Sequence, residues 1–203
     1  MRLTMRGIFL GLTLTCCAAG ASAQEAAKTQ GSAGSASAAQ KPDAPQAVAP
    51  AANPADVASP EAILAATYDV ISGPAGQKRD WDRFRSLFVP DARLMAVGPE
   101  KDGILSLHGV SPDGYSQRAD AYFMKNGFAE RSISNTSERY GNIMQIFSTY
   151  ESRHDPKDAA PFARGINSFQ LFYDGKRWWI VTIYWEEETP GNPIPKEYLP
   201  AGK

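Results

Sequence analysis

Aromatic side chains are confined to one part of this chain, and this limits where a hydrophobic core can form. All four Trp, all eight Tyr and eight of the nine Phe residues lie between Ser59 and Lys203. Residues 24–58 are mainly Ala, Pro, Gly, Ser and Gln without a periodic apolar face, so they bury too little surface to offset the entropy of ordering. The sequence predicts a disordered linker over 24–58 and one folded domain of about 145 residues over 59–203, a usual size for a single core.

The first 23 residues have the three parts of a secretory signal peptide. Two arginines precede an apolar run over residues 7–19, and the small residues Ala21-Ser22-Ala23 follow as a cleavage site. The run is shorter than the roughly 20 apolar residues that span a bilayer. We therefore expect cleavage before Gln24, no transmembrane anchor afterwards, and export to a periplasm or to the medium. Both cysteines lie within the signal, so no disulfide is expected in the mature chain.

The charged residues exclude several classes of function. The chain has 21 Lys and Arg against 22 Asp and Glu, and these are interspersed without a basic cluster, which argues against nucleic-acid binding. The two histidines, His108 and His154, are far apart and have no partner at metal-ligand spacing, so no metal site is expected. Nucleophile motifs such as Gly-x-Ser-x-Gly and phosphate-binding glycine loops are also absent from the sequence, and no cofactor is predicted.

Local signals divide the domain into helices and strands. Ser59-Pro60-Glu61 and Ser111-Pro112-Asp113 each combine an N-cap residue, a proline at the first helical position and an acid in the first turn. Asp80 can cap a short helix that we expect Pro90 to end, and Asp174-Gly175 marks a hairpin turn between two strands. The resulting order, α-α-β-β-α-β-β-β-β, predicts an α+β fold in which a curved antiparallel sheet packs against about three helices.

Three segments carry a resemblance to a known superfamily: Tyr68–Ile71, Asp80–Ala92 and the closing Phe172–Val181. With the element order, they make the domain resemble the nuclear transport factor 2-like superfamily, a cone-shaped fold that includes ketosteroid isomerases, SnoaL-type polyketide cyclases and scytalone dehydratase. The resemblance implies a pocket between the concave sheet face and the helices, and often dimerisation through the outer face. It implies no particular activity, because one fold hosts many functions.

The catalytic pattern of ketosteroid isomerases is only partly matched. In that family a helix tyrosine works with two strand aspartates, and Tyr68 could take the place of the tyrosine. The strands expected over 141–153 and 164–173 contain no aspartate. Isomerase chemistry of that type is therefore not predicted.

Polar and aromatic residues on expected inward faces are the candidates for a ligand pocket, although plain core packing is an alternative for each aromatic one. The predicted pocket residues are Tyr68, Trp81, Tyr122, Gln170, Trp178 and Tyr184. The candidates for catalysis are Tyr68, His108 and Glu151, with a structural or solvent-exposed role as the alternative for His108 and Glu151.

The last strand, Trp178–Trp185, is apolar on both alternating faces, which predicts that both faces are covered. Strict alternation places Trp178, Ile180, Thr182 and Tyr184 on one face and Trp179, Val181, Ile183 and Trp185 on the other. We expect the outer face to be covered either by a second copy of the chain, through Trp179 and Trp185, or by the tail over residues 189–200.

Two functional hypotheses follow. The first is an exported, non-enzymatic domain that binds a small apolar or amphipathic molecule or associates with itself. The second is a cofactor-free lyase, isomerase or cyclase of the SnoaL type, in which Tyr68 and either His108 or Glu151 move protons. The second needs a carboxyl or imidazole group inside the pocket with a shifted pKa.

Overall fold

Three helices and six strands follow one another in the predicted order. The computed structural model describes residues 48–100 and 102–201. The predicted signal peptide, and the linker up to residue 47, lie outside the described residues. The helices are α1 Pro60–Ile71, α2 Trp81–Ser86 and α3 Pro112–Asn126, and the strands are β1 Phe88–Pro99, β2 Leu105–Val110, β3 Ala129–Tyr140, β4 Ile143–Arg153, β5 Ala163–Tyr173 and β6 Trp178–Glu187. None of the helices within the described ranges is long and apolar enough to cross a membrane.

The six strands form one curved sheet in the order β2-β1-β6-β5-β4-β3. The α+β fold is confirmed. One pair differs from the expected antiparallel sheet, because β1 and β6 run parallel. These two strands are separated by most of the domain, which provides the long crossover that a parallel pair requires.

Side-chain caps begin each helix as the sequence indicates. The Oγ atoms of Ser59 and Ser111 accept hydrogen bonds from backbone N–H groups three residues later, both at 3.1 Å, and the Asp80 carboxylate accepts one from Arg83 N at 2.9 Å. The expected end of α2 at Pro90 is wrong, since the helix ends at Ser86. Pro90 lies within β1 where pairing with β6 is interrupted, and a proline is tolerated there because no ladder hydrogen bond is lost.

Order begins before the predicted domain boundary at residue 58. Asn53 caps a 3₁₀ turn over Pro54–Val57, and Val57 belongs to the hydrophobic core. The Asp56 carboxylate accepts two hydrogen bonds from the Arg83 guanidinium, at 2.8 and 3.0 Å. The side chain of Val57 and the ion pair of Asp56 attach this turn to the domain. Composition does not reveal this attachment, because these two residues lie at the end of a long segment rich in Ala and Pro.

A bulge changes the face of β6 partway along the strand. Its register with β5 shifts between Gln170 and Leu171, where β6 contains one extra residue. Trp178 therefore points to the same side as Trp185, whereas Tyr184 points outward, and the strict alternation expected for this strand is wrong. Trp185 packs edge-on against Tyr115 of α3 with ring centroids 6.4 Å apart. It is not available for the outer-face contact predicted for a homodimer, which otherwise stays a prediction.

The tail covers β4 rather than β6. The Tyr198 ring lies 5.6 Å from the Phe147 ring, and the Tyr198 carbonyl oxygen accepts a hydrogen bond from Thr149 Oγ1 at 2.6 Å. On β6, Val181 and Tyr184 remain 40% and 38% exposed. The expectation that the tail closes over the last strand is therefore wrong.

Gly165 has no room for a side chain, and replacing it with alanine should destabilise the sheet. A Cβ atom there would meet the Glu186 carbonyl oxygen and would lie 2.7 Å from Tyr150 Oη. We expect Gly165→Ala to lower the free energy of unfolding by about 1–3 kcal/mol, as overpacking does, in urea unfolding followed by circular dichroism. Gly98→Ala is the control, because its new Cβ would lie 3.5 Å from the nearest side-chain atom. Equal stability of the two variants would contradict the close packing of Gly165.

Candidate functional site

A cavity of about 350 Å³ lies between the concave sheet face and helices α1 and α3. Ten of the 21 residues that line it are aromatic, among them Tyr115, Phe123, Tyr150, Phe169 and Trp185. Small-molecule sites in proteins are concave and mostly apolar with a few placed polar groups. The cavity has this character.

Strand periodicity places a small polar cluster on the inner side of the sheet. Alternate residues of a strand share a face, so Ser148 and Ser152 of β4 point inward, as does Asn167 of β5. Glu130 of β3 is paired in register with Ser152 and also lines the cavity. These side chains lie among the aromatic walls.

Glu130 is the central member of this cluster. Ser152 Oγ donates to Glu130 Oε2 at 2.7 Å, and Asn167 Nδ2 donates to Glu130 Oε1 at 3.2 Å. Burial raises the pKa of Glu130 from 4.5 to about 7; the two hydrogen bonds oppose this rise, and the charge of Glu187 adds to it. The carboxyl group is therefore partly protonated near neutral pH.

No cation neutralises Glu130 within the described part of the chain. Its carboxylate takes part in none of the ion pairs found there. Arg118 lines the cavity, but it is exposed and forms no ion pair with Glu130. Glu130 thus differs from the buried carboxylates of Asp56 and Glu151, which are both paired with arginines.

Tyr68 extends the hydrogen-bond network to α1. Its hydroxyl lies 2.7 Å from Ser148 Oγ and accepts a hydrogen bond from Asn167 Nδ2 at 3.2 Å. Burial, with a further contribution from the charge of Glu130, raises the pKa of Tyr68 well above its usual value. Tyr68 therefore keeps its proton and can act as a donor but not as a base, and Asn167 connects it to Glu130.

Four of the predicted pocket residues lie elsewhere, whereas Tyr68 and Tyr122 line the cavity. Trp81 packs behind the wall and donates its indole N–H to Asp120 at 2.8 Å. Trp178 is buried in the core beside Tyr173, beyond the bulge. Gln170 and Tyr184 point to the outer face, because Gln170 is out of phase with Asn167 and the bulge turns Tyr184 outward. Their assignment to the pocket is corrected on these grounds.

Neither His108 nor Glu151 can serve the cavity as an acid or base. His108 lies on the edge strand β2, exposed, with Nε2 3.2 Å from Ser106 Oγ. Glu151 lies on the outer sheet face, out of phase with Ser152. Burial alone would raise the pKa of Glu151, but hydrogen bonds from Arg153 and Arg131 outweigh this effect and lower it.

Glu130 was missed because its strand reads as polar. From Arg131 to Arg139, β3 has a single apolar residue, which is typical of a solvated strand. The useful signal was Phe128, two residues earlier: an aromatic residue at the start of an otherwise polar strand marks the buried face, and Glu130 lies on that face by the period of two. Both residues line the cavity.

No protein-family model and no curated protein matches this chain, whereas solved structures do. A candidate calcium/calmodulin-dependent protein kinase type II association domain from Thiobacillus denitrificans is 12% identical, with a TM-score of 0.49, over 64% of this chain and 96% of that chain. A nuclear transport factor 2-like protein of unknown function from Shewanella baltica is 15% identical, with a TM-score of 0.42, over 63% and 89%. A candidate ketosteroid isomerase from Parabacteroides distasonis is 13% identical, with a TM-score of 0.45, over 64% and 89%.

At such low sequence identities, the similarity to these structures is a similarity of fold alone. The sequence indicated a resemblance to the nuclear transport factor 2-like superfamily, and a protein described as nuclear transport factor 2-like is among these structural neighbours. The architecture itself is established by the order of elements and the sheet of this chain.

Proposed function

We propose that this domain binds a small, mainly apolar molecule in the cavity, with the polar group of that molecule at Glu130. The observation that carries the proposal is a carboxyl group with no cationic partner, held by Ser152 and Asn167 in an aromatic chamber. Placing a charge in such surroundings is costly unless it is paired. Groups with strongly shifted pKa values are concentrated at functional sites, which supports a role for Glu130 in binding.

The proposal includes the setting predicted by the sequence. A signal peptide over residues 1–23 would export the chain, and a linker of low complexity would separate the folded part from the new N-terminus. A binding domain of this kind could act without a catalytic step. A second copy of the chain is a further partner that we propose.

A second candidate is proton transfer without a cofactor, as in the lyase, isomerase or cyclase hypothesis. It is favoured by one observation, the pKa of about 7 for Glu130, because an effective general base or acid titrates near the working pH. Glu130 would take the place of His108 and Glu151. Tyr68 would hold the network in place as a protonated hydroxyl.

Filling the cavity should weaken ligand binding. Ala119 of α3 lines the cavity, so Ala119→Phe adds a ring inside it without removing a polar group. We expect small aromatic amines, alcohols and ketones to shift amide resonances of cavity-lining residues in the native protein, and Ala119→Phe to weaken this binding at least about tenfold, a loss of about 1.4 kcal/mol. The measurement is an NMR titration of the isotope-labelled protein.

Ala121→Phe is the matched control, since Ala121 is an exposed residue of the same helix and the change should leave binding unaltered. Shifts that are spread over the outer sheet face, or equal binding by both variants, would contradict the proposal.

Glu130→Gln then separates the two candidate functions. Exchange of deuterium from solvent into a bound ketone would require Glu130 if proton transfer occurs, whereas simple binding would give no such exchange.

A further inference from the structure

We infer that the cavity selects an organic cation, a small molecule in which an ammonium group is attached to an apolar body. This inference rests on the proposed function and names the class of ligand. It follows from the two carboxylates at the cavity, from the aromatic rings beside them, and from the exposed position of Arg118, the basic residue that lines the cavity.

Both acidic residues of the cavity lack a cationic partner. Glu130 and Glu187 line it, and neither forms an ion pair among the described residues. They are close enough for the charge of Glu187 to act on Glu130, and both act on the hydroxyl of Tyr150. Glu187 is exposed, whereas Glu130 lies among the aromatic walls. One positive charge placed between two carboxylates that repel each other would stabilise both.

Two rings form adjoining walls in this region. The rings of Tyr115 and Trp185 are perpendicular, with centroids 6.4 Å apart. Trp185 and Glu187 are alternate residues of β6 and share its inner face, and Tyr115 lies within the electrostatic reach of Glu130. Trp and Tyr faces attract cations, and sets of such rings are the usual means of recognising quaternary ammonium groups.

The other charge classes fit less well. An anion would be repelled by both carboxylates, and the only basic residue lining the cavity among those described is Arg118, which is exposed, as is Glu187. A neutral molecule would leave the Glu130 carboxylate unpaired in the chamber, which is costly. A cation relieves that cost, and the rings of Tyr115 and Trp185 line the same cavity.

Cation binding should be linked to proton release. The ligand favours the ionised form of Glu130, so it displaces the proton that the free protein holds below a pH of about 7. Affinity should therefore rise as the pH increases from 5.5 to 8. The ionisable groups that line the cavity with Glu130 are Tyr68 from α1, Tyr115, Arg118 and Tyr122 from α3, Tyr150 from β4 and Glu187 from β6.

Three probes that share a benzyl group test the inference on the full chain: benzyltrimethylammonium, its neutral carbon isostere neopentylbenzene, and the anion 3-phenylpropanoate. At pH 8 we expect the cation to bind at least about tenfold more tightly than the neutral isostere and the anion to show no binding. Calorimetry and NMR titration give the affinities, and calorimetry at pH 6.5 in two buffers of different ionisation enthalpy gives the protons released.

Glu130→Gln should weaken cation binding about tenfold or more and abolish proton release. Glu138→Gln, an exposed glutamate on the same strand, should change neither. Glu187→Gln provides a second test that does not alter Glu130, Ser152 or Asn167. It should lower the affinity for the cation several-fold and leave the affinity for the neutral probe unchanged.

Equal or tighter binding of the neutral or anionic probe would overturn the cation inference and leave the proposed binding function intact. If no probe bound at the cavity, both would fail. A cation affinity unaffected by both Glu130→Gln and Glu187→Gln would also overturn the inference.

Discussion

Replacing Glu130 with glutamine is expected to raise the free energy of unfolding at pH 8 by up to about 3 kcal/mol and to leave it nearly unchanged at pH 4. Burial raises the pKa of Glu130 from 4.5 to about 7 in the folded protein, so the folded state binds more protons than the unfolded state between these values. Stability contributed by this residue is therefore lost as the pH rises through that window, and the loss is complete above a pH of about 7. Glutamine is neutral throughout and can keep hydrogen bonds to Ser152 and Asn167.

Urea unfolding of both proteins at pH 4, 5.5, 7 and 8 measures this difference. Glu138→Gln is the control, because Glu138 is exposed on the same strand and its carboxylate accepts a hydrogen bond from Gln145 at 2.9 Å. It should give a difference that does not grow with pH. A Glu130→Gln variant that is less stable than the native protein at pH 8 would show that the ionised carboxyl stabilises the fold, contrary to our description of the cavity.

Replacing Phe84 with alanine is expected to lower the free energy of unfolding by about 3–5 kcal/mol. Phe84 is 1% exposed, and its ring lies 4.8 Å from that of Phe88, 5.4 Å from that of Tyr115 and 5.6 Å from that of Trp81. These rings join α2, α3 and β1. Removing the central ring leaves a void continuous with the cavity, which the short helix α2 cannot close.

Phe172→Ala is the matched control for this change. Phe172 is 39% exposed on the outer face of β5, so its loss should cost about 1 kcal/mol or less. Denaturant unfolding and near-ultraviolet circular dichroism follow both variants. Similar losses for the two positions would mean that the aromatic cluster around Phe84 does not hold the helices on the sheet.

Local sequence signals accounted for most of the fold. The N-caps at Ser59, Asp80 and Ser111 depend on residues that are adjacent or three apart in sequence, and the Asp174-Gly175 turn is equally local. Such signals can be read without knowing the rest of the molecule. The order of elements followed from them, and with it the α+β fold.

The composition of the site depended on relations that are not local. The bulge in β6 is a feature of its register with β5, and one extra residue there places Trp178 on the same side as Trp185 and turns Tyr184 to the other side. The surroundings of Glu130 come from three other elements: β4 provides Ser152, β5 provides Asn167, and α1 provides Tyr68. The residue type of His108 makes it a candidate for proton transfer, but residue type alone does not tell that its strand, β2, lies at the edge of the sheet.

Glu130 is a carboxyl group in the cavity that has no cationic partner among the described residues of the free protein, and its own titration is the clearest test of this state. We predict that the side-chain carboxyl resonance of Glu130, followed by carbon-13 NMR, titrates with a midpoint near pH 7 in the free protein, and that a bound cation lowers this midpoint. A midpoint near 4.5 in the free protein would contradict this description, because the Glu130 carboxyl would then titrate like one that is exposed to solvent.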